Sequence, residues 1–248
     1  MMRVESTNKR PHKWHDLHQL IEILLPVVRD AYADAELLIL KDLRMSDRVY
    51  LLRDQDRVVH GFLMAGFDHP ANVSLPERRP AYMGLSAVRP SARGTGNCLP
   101  LYRAFIRDGQ LKEAENGCVY LIWATTASRT VWNLFSALLN DVAPIQGKPL
   151  TQRQIEWASA IRASMRSSHP QEPEDPFYWP DHKPDIRYSP AEWQRIQNET
   201  GGFPYGDFTV DERRGDRLLM IGHLPSPGTA HAGSDVVQFR QLPGSGAP

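Results

Sequence analysis

The stretch from Ala81 to Ile106, AYMGLSAVRPSARGTGNCLPLYRAFI, constrains the fold more than any other part of the chain. Tyr82, Met83, Leu85, Ala87 and Val88 make an apolar run of strand character. Pro90 has no N–H to give to a ladder and ends it. Gly94 and Gly96 then supply backbone freedom and no side chain to hold a ligand away. Beyond Asn97, Leu101, Ala104 and Phe105 recur at helical spacing, beside Leu99 and Tyr102. Strand, glycine turn and helix start together make an anion site, because the unpaired amides and the helix dipole point outward at one place. The turn at residues 93–98 is therefore expected to bind a pyrophosphate. A dinucleotide fingerprint fits worse, since no second strand with an acidic end follows at the required distance. A Walker loop is excluded, because Gly-Lys-Ser/Thr is absent.

The pattern Val88-x-Pro90-x-x-Arg93-Gly94-x-Gly96-x-Cys98 resembles the acyl-CoA motif of the GCN5-related N-acetyltransferase (GNAT) superfamily, with Cys98 where the family has a final Gly or Ala. The resemblance covers roughly residues 45–140. It implies an α/β fold with a mixed central sheet and flanking helices, and acetyl-CoA or another acyl-CoA as co-substrate. It also implies a small-molecule or peptide amine as acceptor. By the resemblance, Ala87 and Val88 offer backbone groups to pantetheine between two splayed strands. Arg93, Gly94, Thr95, Gly96, Asn97 and Cys98 hold the pyrophosphate, with Arg93 either neutralising phosphate or capping the strand edge. Ser128 takes the register of the family's cofactor-binding asparagine, and Phe135 that of its proton-donating tyrosine. A phenyl ring has no proton to give. The family's glutamate base falls on Tyr82, which reads more as packing, because an unperturbed phenol is a poor base at neutral pH.

An amine attacks only when neutral, so some group near it must accept a proton. His60, in the second strand of a hairpin, is one candidate, and Asp68 and His69 at that strand's end are others. The catalytic candidates are thus Tyr82, His60 and Ser128. His12, His15 and His18 recur every third residue, but helical rotation spreads them and nothing nearby completes a ligand set, so no metal is expected. Cys98 at a helix start reads as a small packing residue, with an activated thiol as the alternative.

The rest of the chain is consistent with this reading. Its 29 basic and 29 acidic residues balance, which argues against nucleic acid as partner. With Cys98 and Cys118 as its two cysteines, no disulfide framework is available, and a reducing, cytoplasmic setting is expected. No run is apolar enough to suggest a membrane helix or a signal peptide. Two helices, or one helix kinked at Pro26, precede a hairpin of residues 49–52 and 58–67. The glycine-turn unit follows, then a buried strand at 118–124 and a helix from Ser128. The crossover rule makes the two strands around helix 98–114 parallel neighbours. Three regions are expected: an acyl-CoA-binding core at 1–145, an extension at 146–224 that completes the sheet and the acceptor side, and a flexible tail at 225–248. Within the extension, a helix at 151–165 and a closing strand at 217–224 flank a proline-rich segment. The activity expected is acyl transfer to an amine by direct attack. The alternative is a non-catalytic module of the same fold that binds coenzyme A or a protein partner. Monomer and homodimer are both open.

Overall fold

The structure, a computed structural model, describes residues 2–8, 14–32, 34–67, 73, 75, 77–93, 96–145, 147–165, 175–179, 190, 193–194, 203–205, 208–211 and 215–226. For 7–8, 14–16, 203–205 and 208–209 the description is of the backbone. Asp68, His69, Gly94, Thr95, His12, most of the proline-rich segment and the tail beyond residue 226 lie outside the described residues.

Strand β1 (Arg3–Asn8) is followed by helices α1 (Trp14–Arg29) and α2 (Ala35–Leu43). Two helices are present, but α1 runs through Pro26 and the boundary between them falls after Arg29. Pro26 is on the exposed side of α1, where the carbonyl that loses its N–H partner has water instead. Strands β2 (Arg48–Arg53) and β3 (Val59–Gly66) form the expected antiparallel hairpin. Asp54 closes its turn by accepting from the N–H groups of Asp56 and Val58. Strand β4 (Arg79–Val88), a short 3-10 turn (Pro90–Ala92), helix α3 (Leu99–Asn116) and strand β5 (Tyr120–Thr126) make the glycine-turn unit. Gly117, at φ +60°, ends α3 in the left-handed conformation that glycine adopts freely. Helix α4 (Arg129–Leu138) and strand β6 (Asn140–Ala143) come next. Helix α5 (Gln152–Ser164) opens with a capping box between Thr151 and Gln154. Strands β7 (Tyr178–Trp179), β8 (Phe203–Tyr205), β9 (Phe208–Val210) and β10 (Arg217–His223) complete the chain's described elements.

The main sheet has the order β1-β2-β3-β4-β5-β10-β6, with β7 added on β10; β8 and β9 pair with each other. Pairing is antiparallel except between β4 and β5, which are parallel as the crossover through α3 requires. This is the mixed sheet with flanking helices expected for the GNAT fold. One face packs on α3 and α4 through Leu101, Tyr102, Phe105, Leu134 and Phe135. The other packs on α1 and α2 through Leu24, Val28 and Ile39, and on α5 through Trp157, Ala158 and Ile161.

Strand β10 lies between β5 and β6, so the sheet is incomplete without it. Residues 144–216 are an insertion between two neighbouring strands. Phe177, Tyr178 and Val210 of that insertion are buried against Trp123, Leu218 and Leu219, giving the α5 side a core of its own. Arg162 holds the insertion's edge by donating to the carbonyls of Asp175 and Tyr178, and its guanidinium lies 5.3 Å from the centre of the Trp179 ring.

Candidate functional site

Strands β4 and β5 pair from Arg79 opposite Tyr120 to Tyr82 opposite Trp123, and there the pairing stops. Beyond that point β3 continues along β4 as far as Val88, and β10 along β5 as far as Thr126. The outer partners thus hold the two inner edges apart, leaving a V whose backbone groups need a partner other than each other. A bulge sits on the β4 side of the V. Leu63 pairs with Ser86 and Ala65 with Met83, so Gly84 and Leu85 together oppose Met64. Bulges bend a strand and redirect its amides, and they recur beside active sites.

The mouth of the V is lined by the starts of the two helices that follow its strands. On the β4 side, Gly96 has φ +73°, and a Cβ built on it meets no atom within 4 Å. Asn97 closes the turn by donating from Nδ2 to the Ala92 carbonyl at 3.2 Å. Arg93 donates to the carbonyls of Val88 (2.9 Å) and Asp30 (3.2 Å), so it clamps the strand end to the α1–α2 junction. Cys98 occupies the helix cap position, half-buried, and burial pushes its thiol pKa up. That is the packing residue, not the activated thiol. On the β5 side, Ser128 caps α4 in extended conformation, its N–H held by the Thr126 hydroxyl at 2.9 Å. Ala87 is buried on the α1 face and exposes backbone alone to the V.

Inside the V the hydroxyls converge on Ser86. Its carbonyl accepts from the Tyr32 phenol at 2.9 Å, and its Oγ lies 2.9 Å from the Tyr102 phenol, whose pKa burial pushes up to about 12. Phe135 is buried with 1% exposure, and a Cβ on Gly222 of β10 would come within 3.2 Å of its ring. Gly222 pairs with Ile122, below the point where the strands part.

On the opposite face, Tyr82 and Asp42 meet. The Tyr82 phenol donates to Asp42 Oδ1 at 2.8 Å, and the bulge amide of Leu85 donates to Oδ2. The Tyr82 ring leans on Trp123 with centroids 4.5 Å apart. Asp42 is 9% exposed, and burial raises its pKa to about 6 against the lowering effects of the Tyr82 and Leu85 hydrogen bonds and of Lys41. Burial and the adjacent carboxylate together drive the Tyr82 pKa well above its ordinary value. Tyr82 is therefore a neutral phenol at any pH the protein experiences.

His60 stands at the hairpin end of β3, four residues along the strand from Met64, with Nε2 2.7 Å from Asp54 Oδ2. At about 3.3 Å per residue that is on the order of 13 Å from the bulge. Its carbonyl accepts from the Arg89 N–H at 2.8 Å, beside Val88 at the mouth of the V. Tyr82 and His60 thus stand at opposite ends of the V, with Ala87, Val88, Gly96, Asn97, Cys98 and Ser128 on its open side. Among the described residues, no group of three or more His, Cys, Asp or Glu has the arrangement of a metal site. Sequence reasoning missed Asp42. Its signal was there: Ala35, Ile39 and Asp42 share the buried face of α2, and an acid on such a face calls for a partner.

The hairpin, glycine turn, crossover helix and splayed parallel strand follow in the order that the sequence motif implied. No family model matches the chain, and no curated protein matches it. Solved structures similar to it include acetyltransferases at low identity. The ribosomal-protein-S18-alanine N-acetyltransferase from Escherichia coli is 11% identical, with 93% of this chain and 98% of that one covered and a TM-score of 0.46. The GNAT family N-acetyltransferase YhbS from Escherichia coli, solved in complex with CoA, is 13% identical, with 54% and 68% covered and a TM-score of 0.39. A GNAT family acetyltransferase from Streptococcus pneumoniae is 17% identical, with 55% and 85% covered and a TM-score of 0.38.

Proposed function

We propose that the chain is an acyl-CoA-dependent N-acyltransferase, transferring an acyl group, acetyl in the simplest case, to an amine. The observation that carries this reading is the V between β4 and β5, bulged at Gly84 and Leu85 and opening onto a glycine turn at a helix start. An extended ligand with amides along its length and a diphosphate at one end fits those demands. Backbone groups of Met83–Val88 other than those held by Asp42, Tyr32 and Arg93, together with those of Ala124–Thr126, would pair with pantetheine. The turn around Gly96, Asn97 and Cys98 would take the diphosphate, with Ser128 on the facing side. Gly96 suits this role, since the space its side chain would fill is open. The acceptor side is assigned to the insertion, because its Phe177 and Tyr178 pack in one cluster with Trp123, the ring on which Tyr82 leans where the two strands part.

Direct attack needs a polarised thioester carbonyl, and amides of the splayed part of β4 are the donors available for it. Tyr102, joined to Ser86, supplies a phenol on the α3 face for the departing thiolate. The test is twofold. Acetyl-CoA should raise the melting temperature by mass action. It should also release free thiol in the presence of a panel of amines: an alanine-initiated peptide, a lysine peptide, a diamine and an aminoglycoside. A melting shift without thiol release favours the binding-module alternative, for which the aromatic Phe135 in place of a phenol speaks. Neither effect at millimolar acetyl-CoA refutes the reading.

A further inference from the structure

We propose that Asp42 is the terminal proton acceptor for the attacking amine, reached through the phenol of Tyr82. This rests on the acyltransferase reading above. Three observations at one place carry it. Tyr82 belongs to the last pair before β4 and β5 part, so its backbone stands at the innermost point a ligand between the strands reaches, with its ring against Trp123 of the facing strand. Its phenol leads from there to a buried carboxylate on α2, 2.8 Å away. The bulge then turns the Leu85 amide onto the carboxylate's second oxygen. Glycine at 84 is part of the construction. A Cβ there would stand 2.5 Å from the Tyr82 ring and 2.9 Å from Asp42 Oδ2. The pair is thus packed too tightly for any other residue at that bulge.

A buried aspartate is normally paired with a cation or hydrogen-bonded throughout. Among the described residues, no Lys or Arg makes an ion pair with Asp42. The charged and titratable groups facing the pair are Lys41 on α2, and Arg217 of β10 and Tyr32, both of which face the Tyr82 phenol. Asp42 is ionised at neutral pH, yet it binds a proton on the order of a hundredfold more tightly than an ordinary aspartate. Tyr82 is too weak an acid to hold a negative charge, so it passes a proton on rather than keeping one.

The step balances as follows. An acceptor entering as an ammonium gives one proton to the Tyr82 oxygen, while the phenol proton moves to Asp42. The neutral amine attacks the thioester carbon; the C–N bond forms and the C–S bond breaks, its electron pair leaving on sulfur. The thiolate takes the Tyr102 phenol proton, which the second amine proton replaces, and Asp42 later returns its proton to solvent. The net products are amide, free thiol and one proton.

The experiment uses the full chain, acetyl-CoA and whichever amine of the panel the parent acylates, with thiol release followed from pH 5 to 9. Asp42→Asn should lower kcat by about a hundred- to ten-thousandfold, the range of general base catalysis. It should leave the acetyl-CoA KM unchanged and remove the acid limb of the parent's pH profile. Tyr82→Phe should lower kcat similarly, with Asp42 still present, and it carries the test if Asp42→Asn does not fold. A parent-like acid limb and kcat within about threefold in either variant overturns the relay. So does a loss of acetyl-CoA binding that parallels the loss of rate, because the pair is then a scaffold for the bulge. A parent that neither binds acetyl-CoA nor releases thiol refutes the acyltransferase reading, and the relay with it. A parent that does both, with an unaffected Asp42→Asn, refutes the relay alone.

Discussion

Gly96→Ala separates a ligand-binding turn from an ordinary strand–helix connection. Gly96 has φ +73°, a conformation that disfavours any residue with a Cβ by roughly 1–2 kcal/mol. The methyl itself meets no atom within 4 Å, so packing adds nothing to that strain. For a domain of about this size, each kcal/mol lowers the melting temperature by roughly 2–4 °C. The free protein should therefore lose only a few degrees. Binding should suffer more, because the open space beside Gly96 is where the diphosphate is assigned. Displacing one charge-assisted hydrogen bond is worth about 1.5–3 kcal/mol, or roughly ten- to 150-fold in affinity. Calorimetric titration with coenzyme A should show that loss. Titration with pantetheine, which lacks the diphosphate, should not. Equal coenzyme A affinity in parent and variant, alongside the expected drop in melting temperature, would mean that the turn is a connection and nothing more.

The remaining predictions concern Asp42, Phe135 and Trp179. The folded-state pKa of Asp42 is raised to about 6 from 3.8, so between those values the folded state binds more protons than the unfolded one. Its contribution therefore falls as pH rises through that window, by on the order of 3 kcal/mol in all. Urea melts at pH 4 and 7 should show the parent gaining stability relative to Asp42→Asn at the acid end; identical pH slopes would refute the burial argument. Phe135→Tyr puts a hydroxyl into a fully buried core site and should destabilise by about 1–3 kcal/mol without raising kcat; a variant with parent stability and a faster rate would restore the family's proton-donor register at that position. Trp179→Ala should raise the acceptor KM more than the acetyl-CoA KM, and equal effects on both would reduce the insertion to a structural element.

Much of the order of elements was legible from local chemistry. Proline and glycine punctuate the segment from β4 to α3, and the apolar run at Tyr120–Ala124 reads as a doubly buried strand because it is one. The strand–turn–helix unit needs only neighbouring residues, so its period and its glycines are visible along the chain. Tertiary structure alone decided three things. Strand β10 enters the sheet between β5 and β6, although Ala143 and Arg217 are far apart in the chain; antiparallel pairing is set by edge availability, which no local pattern records. The parting of β4 and β5 after Tyr82 and Trp123 arises from their outer neighbours, β3 and β10, and not from anything in either strand. Finally, Asp42 reaches the bulge because α2 packs over β4. A carboxylate's proton affinity depends on what excludes water from it, and that is a property of the folded protein rather than of the residue.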